Sequence, residues 1–474
     1  MADSLEQLLA QPEGKQLEFK RDLSSPRPLL QSLIAFANTA GGQLIVGVAD
    51  NGELIGVEDP LAEEERLTNL VSDAISPRLV PNIELFTVSG KTLLRVEVFL
   101  SGSRPHYLTS KGSVQGVLVR VGSSNRQAGP QLIAELQRQV VGESFDALPM
   151  PALSLDDLDL PAIQQAFGTE TELNEQKLIT LKLLVRHQAK LVPSRGAVLL
   201  FGRQRTLYFD DAWIQCGRFR GTDRVHIFDQ TELHEHLPQA VDSIELFLKK
   251  HAYKTAEFGG MQRIDHWSIP LSILREAIIN ALVHCDYSQR GSPVRIAFYD
   301  DRIEIESPGM LLPGITIEDM KRGVSMIRNP VIARVFRELK LIEQWGSGVK
   351  RIFTEARALG LPEPRIEEIA NRIRFIIPLG NTHSVGPRPE SRPESRPESD
   401  LAIKIVESLA IQPLGRAEIA STVGHKGVSG QLKKQMTWLL EHNLIEMTLP
   451  DRPNSRLQKY RLTAAGQQLL KDDP

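Results

Sequence analysis

The chain has 474 residues, of which 41% are hydrophobic and 24% charged, and its formal net charge is −3. This length accommodates about three soluble globular domains, and the small net charge confines any affinity for nucleic acid to local patches. Two cysteines, together with the lack of a secretory signal, a membrane-length apolar run and a P-loop, favour a cytoplasmic protein that is neither a disulfide scaffold nor a helicase motor.

The first region, residues 1–145, is predicted to mix helices and strands. Residues 29–40 form an amphipathic pattern that stops at two glycines, which predicts a helix. Residues 43–50 form an apolar strand that ends in a tight Asp-Asn-Gly turn. Residues 91–100 and 116–121 are predicted as further strands. An α+β domain is therefore expected at the N-terminus.

Residues 13–20 hold two acids five positions apart. If the end of this segment is extended, Glu18 and Lys20 share one face. Glu13, Glu18 and Asp50 would then form a three-carboxylate site for Mg2+ or Mn2+, with Lys20 stabilising phosphoryl charge. A structural ion pair between Glu18 and Lys20 explains the same residues equally well, so both interpretations stay open.

Three blocks in this region, residues 16–20, 35–42 and 44–56, resemble the Schlafen/AlbA-type DNA-binding domain. The resemblance extends over about residues 1–130. Vertebrate Schlafen proteins carry a Glu-x4-Glu-x-Lys pattern and an Asp at a metal-dependent RNase centre. The resemblance therefore implies nuclease roles for four residues of this chain, although many bacterial relatives are described only as nucleic-acid binders. These residues are Glu13, Glu18, Lys20 and Asp50.

Residues 98–134 contain no Asp or Glu but several basic side chains, which predicts a phosphate-binding surface. His106 and Tyr107 add rings on which the bases of single strands or RNA could stack. A solvated strand face is the alternative. The predicted nucleic-acid contacts are Arg104, Lys111, Arg120 and Arg126.

A less distinct domain boundary, the proline-containing residues 147–151, precedes a middle α/β region, residues 152–260. This region begins with two helical stretches. Residues 197–202 and 213–221 are predicted as strands, and residues 237–251 as a helix.

Glu276, Asn280 and His284 recur at intervals of four residues in an apolar helical segment, so they share one helix face. Glu276 could orient or deprotonate a water molecule, and Asn280 could hold magnesium through its side-chain oxygen. By spacing alone, a solvated polar stripe is the favoured interpretation.

Three further sequence blocks favour a functional site over a solvated polar stripe. Residues 303–309 alternate like a strand and end in a turn, residues 325–330 read Ser-Met-Ile-Arg-Asn-Pro, and residues 343–348 read Glu-Gln-Trp-Gly-Ser-Gly before a helical run. With the preceding helix, these blocks make residues 260–378 resemble the divergent nucleotide-binding module of the GHKL ATPases. RecG-like helicases and "divergent AAA" regulators carry this version. A GHKL-like α/β sandwich is therefore expected over residues 261–380.

The GHKL resemblance implies that the module binds ATP and Mg2+ and that the protein is a homodimer. It assigns Glu276 as general base and Asn280 as magnesium ligand, and it places phosphate-facing glycines after them. GHKL ATPases usually read adenine with an Asp in the loop after the strand, and here that place is Ser307-Pro308-Gly309. The implied nucleotide contacts are Asn280, His284, Arg328, Asn329, Gly346 and Gly348.

Residues 381–400 contain Arg-Pro-Glu-Ser three times, which predicts an extended linker. Residues 401–474 show three helical stretches and two short strands, the order of a winged helix. Phosphate contacts from its third helix and its wing would fit duplex DNA, whereas a role in protein contacts is the alternative. The basic side chains that carry this prediction are Lys433, Lys434, Arg452 and Arg456.

The sequence therefore predicts an α+β multidomain protein that binds nucleic acid, with DNA favoured and RNA as the alternative, and that has no membrane partner. The favoured function is a transcriptional regulator whose nucleotide module gates DNA binding. One alternative is a metal-dependent nuclease acting on RNA, tRNA or DNA in phage defence or stress. Another is an ATPase scaffold that dimerises on nucleotide.

Overall fold

The computed structural model describes residues 7–170, 172–259, 262–342, 348–380, 400–424, 430–441, 444–448, 458–463 and 466–467. The chain divides into two compact units, residues 1–383 and 384–474. The predicted mixed α+β class is confirmed, because helices and strands alternate along the described residues. No helix of these ranges is both long and apolar enough to cross a membrane.

The N-terminal part of the first unit is an α+β region. Its elements are β1 (Leu17–Lys20), α1 (Pro26–Asn38), β2 (Gly42–Val46), α2 (Pro60–Ala74), β3 (Ile75–Ser76), β4 (Asn82–Val88), β5 (Lys91–Val98), β6 (Tyr107–Leu108), α3 (Gly112–Gln115), β7 (Leu118–Val121), β8 (Ser124–Gln127) and α4 (Pro130–Val140). The main sheet has the order β1-β2-β5-β4, in which β1 and β2 are parallel and the other pairs antiparallel. Helix α1 covers it because Leu33, Ile34 and Phe36 are fully buried in the shared core.

The rest of the first unit is built on a larger sheet. Its elements are α5 (Leu160–Phe167), α6 (Glu175–Thr180), β9 (Leu184–His187), β10 (Lys190–Pro193), α7 (Arg195–Phe201), α8 (Arg205–Tyr208), β11 (Ile214–Arg220), β12 (His226–Leu233), α9 (Leu237–His251), β13 (Lys254–Gly259), β14 (Gln262–Trp267), α10 (Leu271–His284), β15 (Val294–Phe298), β16 (Arg302–Pro308), α11 (Ile317–Arg322), α12 (Pro330–Glu338), α13 (Gly348–Ala358), β17 (Arg365–Ile369) and β18 (Arg372–Pro378).

Six of these strands form one sheet with the order β12-β11-β15-β16-β18-β17. Strands β11 and β15 are parallel, and the other neighbours are antiparallel. The sheet therefore crosses residue 260, where the sequence suggested a boundary between two regions. The difference arises because β11 pairs with β15, a partner that lies beyond that boundary. Both sides of residue 260 also contribute to one apolar core.

The strand predicted at residues 197–202 is wrong, because the structure has helix α7 there. Ser194 caps this helix, with its Oγ accepting a hydrogen bond from the Ala197 backbone N–H at 3.0 Å. A short apolar run does not distinguish a buried strand from a buried helix. The helix predicted at residues 237–251 is confirmed as α9.

Helix α10 lies against β16 and β18 and also packs on α9, α12 and α13. Eight of its apolar residues are buried, which fixes the helix between the sheet and its neighbouring helices. Its remaining polar face, which carries Glu276, Asn280 and His284, lines a cavity.

The second unit contains three helices and a two-stranded antiparallel sheet. Its elements are α14 (Asp400–Ile411), α15 (Arg416–Thr422), α16 (Gly430–Glu441), β19 (Ile445–Met447) and β20 (Tyr460–Leu462). They enclose an apolar core of their own. This element order agrees with the predicted one, and Lys433 and Lys434 fall within α16. The predicted wing residues Arg452 and Arg456 lie outside the described residues, as does the linker.

Candidate functional site

A cavity of about 430 Å³ lies in the first unit among α10, strand β18, the start of α13 and residues 310–328, which we term the wall segment. This volume falls within the range of small-molecule sites. Much of the lining is apolar, with side chains such as Ile279, Val283 and Phe375. The polar and charged lining side chains are Glu276, Asn280, His284, Ser307, Ser325, Arg328, Arg337 and Arg351.

Glu276 and Asn280 form the polar floor of one end of this cavity. Asn280 Nδ2 donates to the Glu276 carboxylate at 2.9 Å and to the Glu276 backbone carbonyl at 2.8 Å. Arg351 of α13 donates to the other Glu276 carboxylate oxygen at 3.2 Å. Because its nitrogen is used by Glu276, Asn280 presents its Oδ1 as the atom of the type that binds magnesium.

Gly348, the first residue of α13, lies directly against this pair. A Cβ atom at position 348 would overlap the Glu276 carboxylate and lie 3.4 Å from Asn280 Nδ2. Only glycine therefore permits the helix to begin this close to Glu276. The companion glycine that the sequence singled out, Gly346, lies outside the described residues.

His284 and Ser307 lie at the other end of the cavity. The Asp286 backbone N–H donates to the Pro308 carbonyl at 2.8 Å, which holds the end of α10 beside the end of β16. Burial, aided by the charge of Arg328, lowers the pKa of His284 to about 4. The imidazole is therefore neutral at pH 7. Ser307 is buried, with 4% of its surface exposed.

Arg328 lines the cavity, but its guanidinium group is held by other protein groups. It forms a buried ion pair with Glu135 of α4 and donates to the Met310 carbonyl. Asp286 lies 4.0 Å away. A nucleotide contact by Arg328 stays a prediction, and the carboxylate of Glu135 already pairs with its charge. Burial raises the pKa of Glu135 while Arg328 opposes that rise.

Asn329 is a structural residue, contrary to its prediction as a nucleotide contact. It is buried, and its Nδ2 donates to the Val283 carbonyl at 2.8 Å and the Cys285 carbonyl at 2.7 Å. These are carbonyls at the C-terminal end of α10, which have no helical partner. Asn329 therefore fixes the end of the helix and does not line the cavity.

The predicted three-carboxylate metal site does not form. The buried Glu18 side chain pairs with Arg120 at 2.5 Å and with Lys20 at 2.5 Å. Glu13 instead accepts a hydrogen bond from the Phe19 backbone N–H at 2.8 Å. Within the described ranges, which include Asp50, no group of three or more His, Cys, Asp and Glu side chains could hold a metal ion. The structure favours the alternative of a structural ion pair.

The predicted basic surface is only partly on the surface. Arg120 is 1% exposed and bonds Glu18 together with the Gly14 carbonyl, so it cannot contact phosphate. His106 is fully buried between the Pro77 carbonyl and Ser101 Oγ, each 2.7 Å from a ring nitrogen, so it offers no stacking face.

The remaining three basic side chains of this stretch are accessible to different extents. Arg104 is half-buried and donates to the Ser101 carbonyl at 2.5 Å. Lys111 and Arg126 are exposed, as the prediction of phosphate contacts requires. The acid-free stretch thus holds two freely accessible cations.

Sequence reasoning missed Arg351 and Glu135. Arg351 lies three residues after Gly348 in α13, so its side chain is near the start of that helix. This spacing from a predicted phosphate-facing glycine could have identified Arg351 from the sequence. Glu135 had no such signal, because its partner Arg328 is 193 positions away.

Three families match separate parts of the chain. Residues 13–129 match the family described as "Schlafen, AlbA_2". Residues 291–377 match the family described as "Putative ATP-dependent DNA helicase recG C-terminal". Residues 402–463 match the family described as "Filamentation induced by cAMP protein Fic-like, C-terminal domain". The first two matches confirm the resemblance to Schlafen/AlbA-type domains and to RecG-like proteins. The second begins after α10, so Glu276 and Asn280 lie outside it.

Two solved structures are similar to the chain. The DIP2311 protein from Corynebacterium diphtheriae has 22% sequence identity and a TM-score of 0.43, with 99% of this chain and 98% of that chain covered. The N-terminal domain of the "Putative ATP-dependent DNA Helicase RecG-related Protein" from Nitrosomonas europaea has 30% identity and a TM-score of 0.22, with 27% and 91% covered. No curated protein matches the chain.

Proposed function

Because the chain carries a Schlafen AlbA_2 domain and a domain of the RecG C-terminal type, we propose that it is a nucleotide-responsive nucleic-acid-binding protein. In this proposal it acts as a regulator, and ATP with Mg2+ in the cavity of the first unit changes its affinity for DNA. Its described part contains both a cavity of suitable size and exposed cations on the Schlafen-like domain.

The residues at the Glu276 end of the cavity fit a magnesium-bound nucleotide. Asn280 Oδ1 would be the metal ligand, and Gly348 would allow phosphate to approach the N-terminal end of α13. Arg351 and Arg337 line the same cavity and supply positive charge. Magnesium, when bound, would neutralise part of the triphosphate charge. These contacts support binding, whereas hydrolysis requires Glu276 to leave Arg351 and act as a base.

The observation that carries the regulatory part of the proposal is the buried ion pair between Glu135 and Arg328. Arg328 belongs to the wall segment of the cavity, and Glu135 belongs to α4, the helix that directly follows the Schlafen match at residues 13–129. A ligand that moves the wall segment must therefore either move α4 or separate two buried charges. Separating them is costly, since a buried charge without its partner is strongly destabilising.

Two further bonds connect the same two regions. The Gly314 backbone N–H of the wall segment donates to the Thr39 carbonyl at 2.7 Å. Lys15 pairs with Glu368 at 2.7 Å, and the other carboxylate oxygen of Glu368 accepts from the Leu311 backbone N–H at 2.9 Å. Met310 also packs in the same apolar cluster as Val117 and Leu136. The wall segment is thus joined to the N-terminal part of the unit through Met310, Gly314 and Arg328, which supports transmission of a change in either direction.

Nucleic acid would be bound by the Schlafen-like region and by the second unit. Lys111 and Arg126 supply exposed charge in the first region. The three helices and two-stranded sheet of the second unit are the elements that a winged helix requires, and Lys433 and Lys434 belong to its third helix. We propose duplex DNA as the ligand, with RNA as the alternative. The homodimer expected for GHKL modules stays a prediction that analytical ultracentrifugation can test.

The proposal is tested by measuring the affinity of the full chain for a fluorescent DNA duplex with and without ATP and Mg2+. We expect the dissociation constant to change at least five-fold on addition of nucleotide, a coupling free energy of about 1 kcal/mol. Glu135→Gln should leave nucleotide binding in place and reduce this change. Lys177→Gln, which breaks an ion pair with Glu338 on the surface, is the matched control. Nucleotide binding without any change in DNA affinity would reject the regulator.

A further inference from the structure

Two arginines that line the cavity, Arg337 and Arg351, differ in what neutralises their charge. Arg351 lies between two carboxylates, because its Nη2 donates to Glu276 at 3.2 Å and its Nε is 3.4 Å from Glu355, one turn further along α13. Arg337 is exposed in the last turn of α12 and has no carboxylate partner in the described part of the chain. A triphosphate therefore finds an uncompensated cation in Arg337 and a compensated one in Arg351.

The carboxylate of Glu276 is held by protein groups on both of its oxygens. Asn280 Nδ2 donates to one oxygen at 2.9 Å, and Arg351 donates to the other. The backbone of Gly348 lies directly against the same carboxylate, since a Cβ atom at that position would overlap it. These contacts fix the direction in which the carboxylate points, and they do so at the end of the cavity where magnesium and phosphate are expected.

Hydrolysis of bound ATP would require this carboxylate to accept a proton. Water attacks the γ-phosphorus, the bond from that phosphorus to the bridging oxygen breaks, and ADP leaves with the electron pair of the broken bond. The proton of the attacking water goes to Glu276, the carboxylate that lines the cavity. Proton uptake removes the negative charge with which Arg351 pairs, so the ion pair opposes this step for as long as it is formed.

The strength of the pair sets how far it can slow the reaction. The Arg351 side chain is 34% exposed, so solvent screens the pair and its contribution is modest. We propose that Arg351 is a positioning residue that restrains Glu276, so that the cavity holds ATP and hydrolyses it slowly. A regulator depends on such a restraint, because a nucleotide that stays bound keeps the protein in one state. This inference rests on the proposed nucleotide-binding function and adds the fate of the bound nucleotide to it.

The test is ATP hydrolysis by the full chain with Mg2+, followed as phosphate release, with ATP binding measured in parallel by calorimetry. Arg351→Met should raise kcat at least about three-fold, the size expected for an ion pair this exposed. Addition of Glu276→Gln to Arg351→Met should remove the gain, because the released base is then absent. Arg357→Met, at an exposed position of the same helix, is the matched control and should hydrolyse ATP like wild type.

Arg337→Met separates the restraint from a general loss of positive charge in the cavity. It removes a cation that does not contact Glu276, so it should raise KM at least about three-fold and should not raise kcat. Arg351→Met should show the reverse, with its larger effect on kcat. Equal effects of the two changes on kcat and KM would overturn the inference, because the contact between Arg351 and Glu276 would then have no role of its own.

The remaining outcomes distinguish the inference from the proposed function. An Arg351→Met protein that binds ATP with an unchanged or lower kcat would overturn the inference and leave the proposed function standing. Loss of ATP binding in this variant would do the same, because Arg351 would then be a phosphate ligand. A gain in kcat that persists with Glu276→Gln would also overturn the inference, since another group would be the base. If the wild type binds no ATP, both are overturned.

Discussion

Glu135 and Arg328 form a buried ion pair between residues 193 positions apart in the chain. Glu135 lies in α4, which follows the Schlafen match at residues 13–129, and Arg328 lies on the wall of the candidate nucleotide cavity. The pair is also contacted by the Met310 carbonyl, so the wall segment is fixed at both of its ends. We regard this pair as the physical connection between the two functions that we propose.

Glu135→Gln should destabilise the protein by about 3 kcal/mol, because it leaves the buried charge of Arg328 without its carboxylate. The change keeps the shape of the side chain, so packing is preserved. Urea unfolding followed by tryptophan fluorescence measures the effect. Lys177→Gln removes an exposed pair and should cost at most about 1 kcal/mol. Equal effects of the two changes would contradict the structural role of the buried pair.

Gly348→Ala should weaken nucleotide binding without destabilising the rest of the protein. The added Cβ atom overlaps the Glu276 carboxylate and approaches Asn280, so the floor of the cavity must rearrange. We expect the ATP dissociation constant to rise at least about ten-fold, which is 1.4 kcal/mol. Gly102→Ala is the control, since a Cβ atom there meets no atom within 4 Å. Unchanged ATP affinity in Gly348→Ala would place the ligand elsewhere.

Lys111→Gln and Arg126→Gln should weaken binding of nucleic acid without lowering the melting temperature, because both side chains are exposed. Each change removes one phosphate contact, so the slope of log affinity against log salt should fall by about one. Arg120→Met should instead affect the stability of the protein. Its side chain is buried against Glu18, so the change should lower stability by about 3 kcal/mol or more. If neither Lys111→Gln nor Arg126→Gln changes the slope of log affinity against log salt, this surface does not bind nucleic acid.

Asp146 should make stability depend on pH between 4 and 6. Its carboxylate is buried and accepts hydrogen bonds from the Val331 and Ile332 backbone N–H groups at the start of α12. Burial raises its pKa from 3.8 to about 6, although these bonds oppose the rise. The folded state therefore holds its proton more tightly than the unfolded chain. The stability contributed by protonation is fully present below pH 3.8 and is lost as the pH rises through 6.

The Asp146 effect is measured as the difference in unfolding free energy between wild type and Asp146→Asn. The unfolding free energy of the wild type should fall, relative to that of Asp146→Asn, by about 2 kcal/mol from pH 4 to pH 7. Asp210→Asn, at an exposed position, should show no comparable shift. A difference that stays constant over this range would show that Asp146 titrates normally.

The sequence predicted local features better than long-range ones. Helix α9 was predicted with its observed bounds, because its apolar periodicity and its length are both unambiguous. Residues 197–202 were misassigned because a short apolar run fits a strand or a helix, although Ser194 offered a readable N-cap signal. The pairing of β11 with β15 across residue 260 depends on tertiary contacts that one sequence does not display.

For the candidate site too, the sequence predicted the arrangement along one helix correctly and the contacts between distant residues poorly. The spacing of Glu276, Asn280 and His284 correctly placed three side chains on one face of α10, and all three line the cavity. In contrast, Arg120 and Asn329 were assigned to ligands although they bond buried protein groups. Charge and amide chemistry suit both roles, and only burial distinguishes them.

The most direct test of the account is calorimetric titration of the purified full chain with ATP and Mg2+, comparing wild type with Asn280→Ala. The account predicts binding by the wild type and a loss of at least about ten-fold in the variant, because Asn280 Oδ1 is the proposed magnesium ligand. Asn69→Ala, at an exposed position of α2, should bind like wild type. Absence of binding by the wild-type protein, or equal affinity of Asn280→Ala, would contradict the nucleotide site.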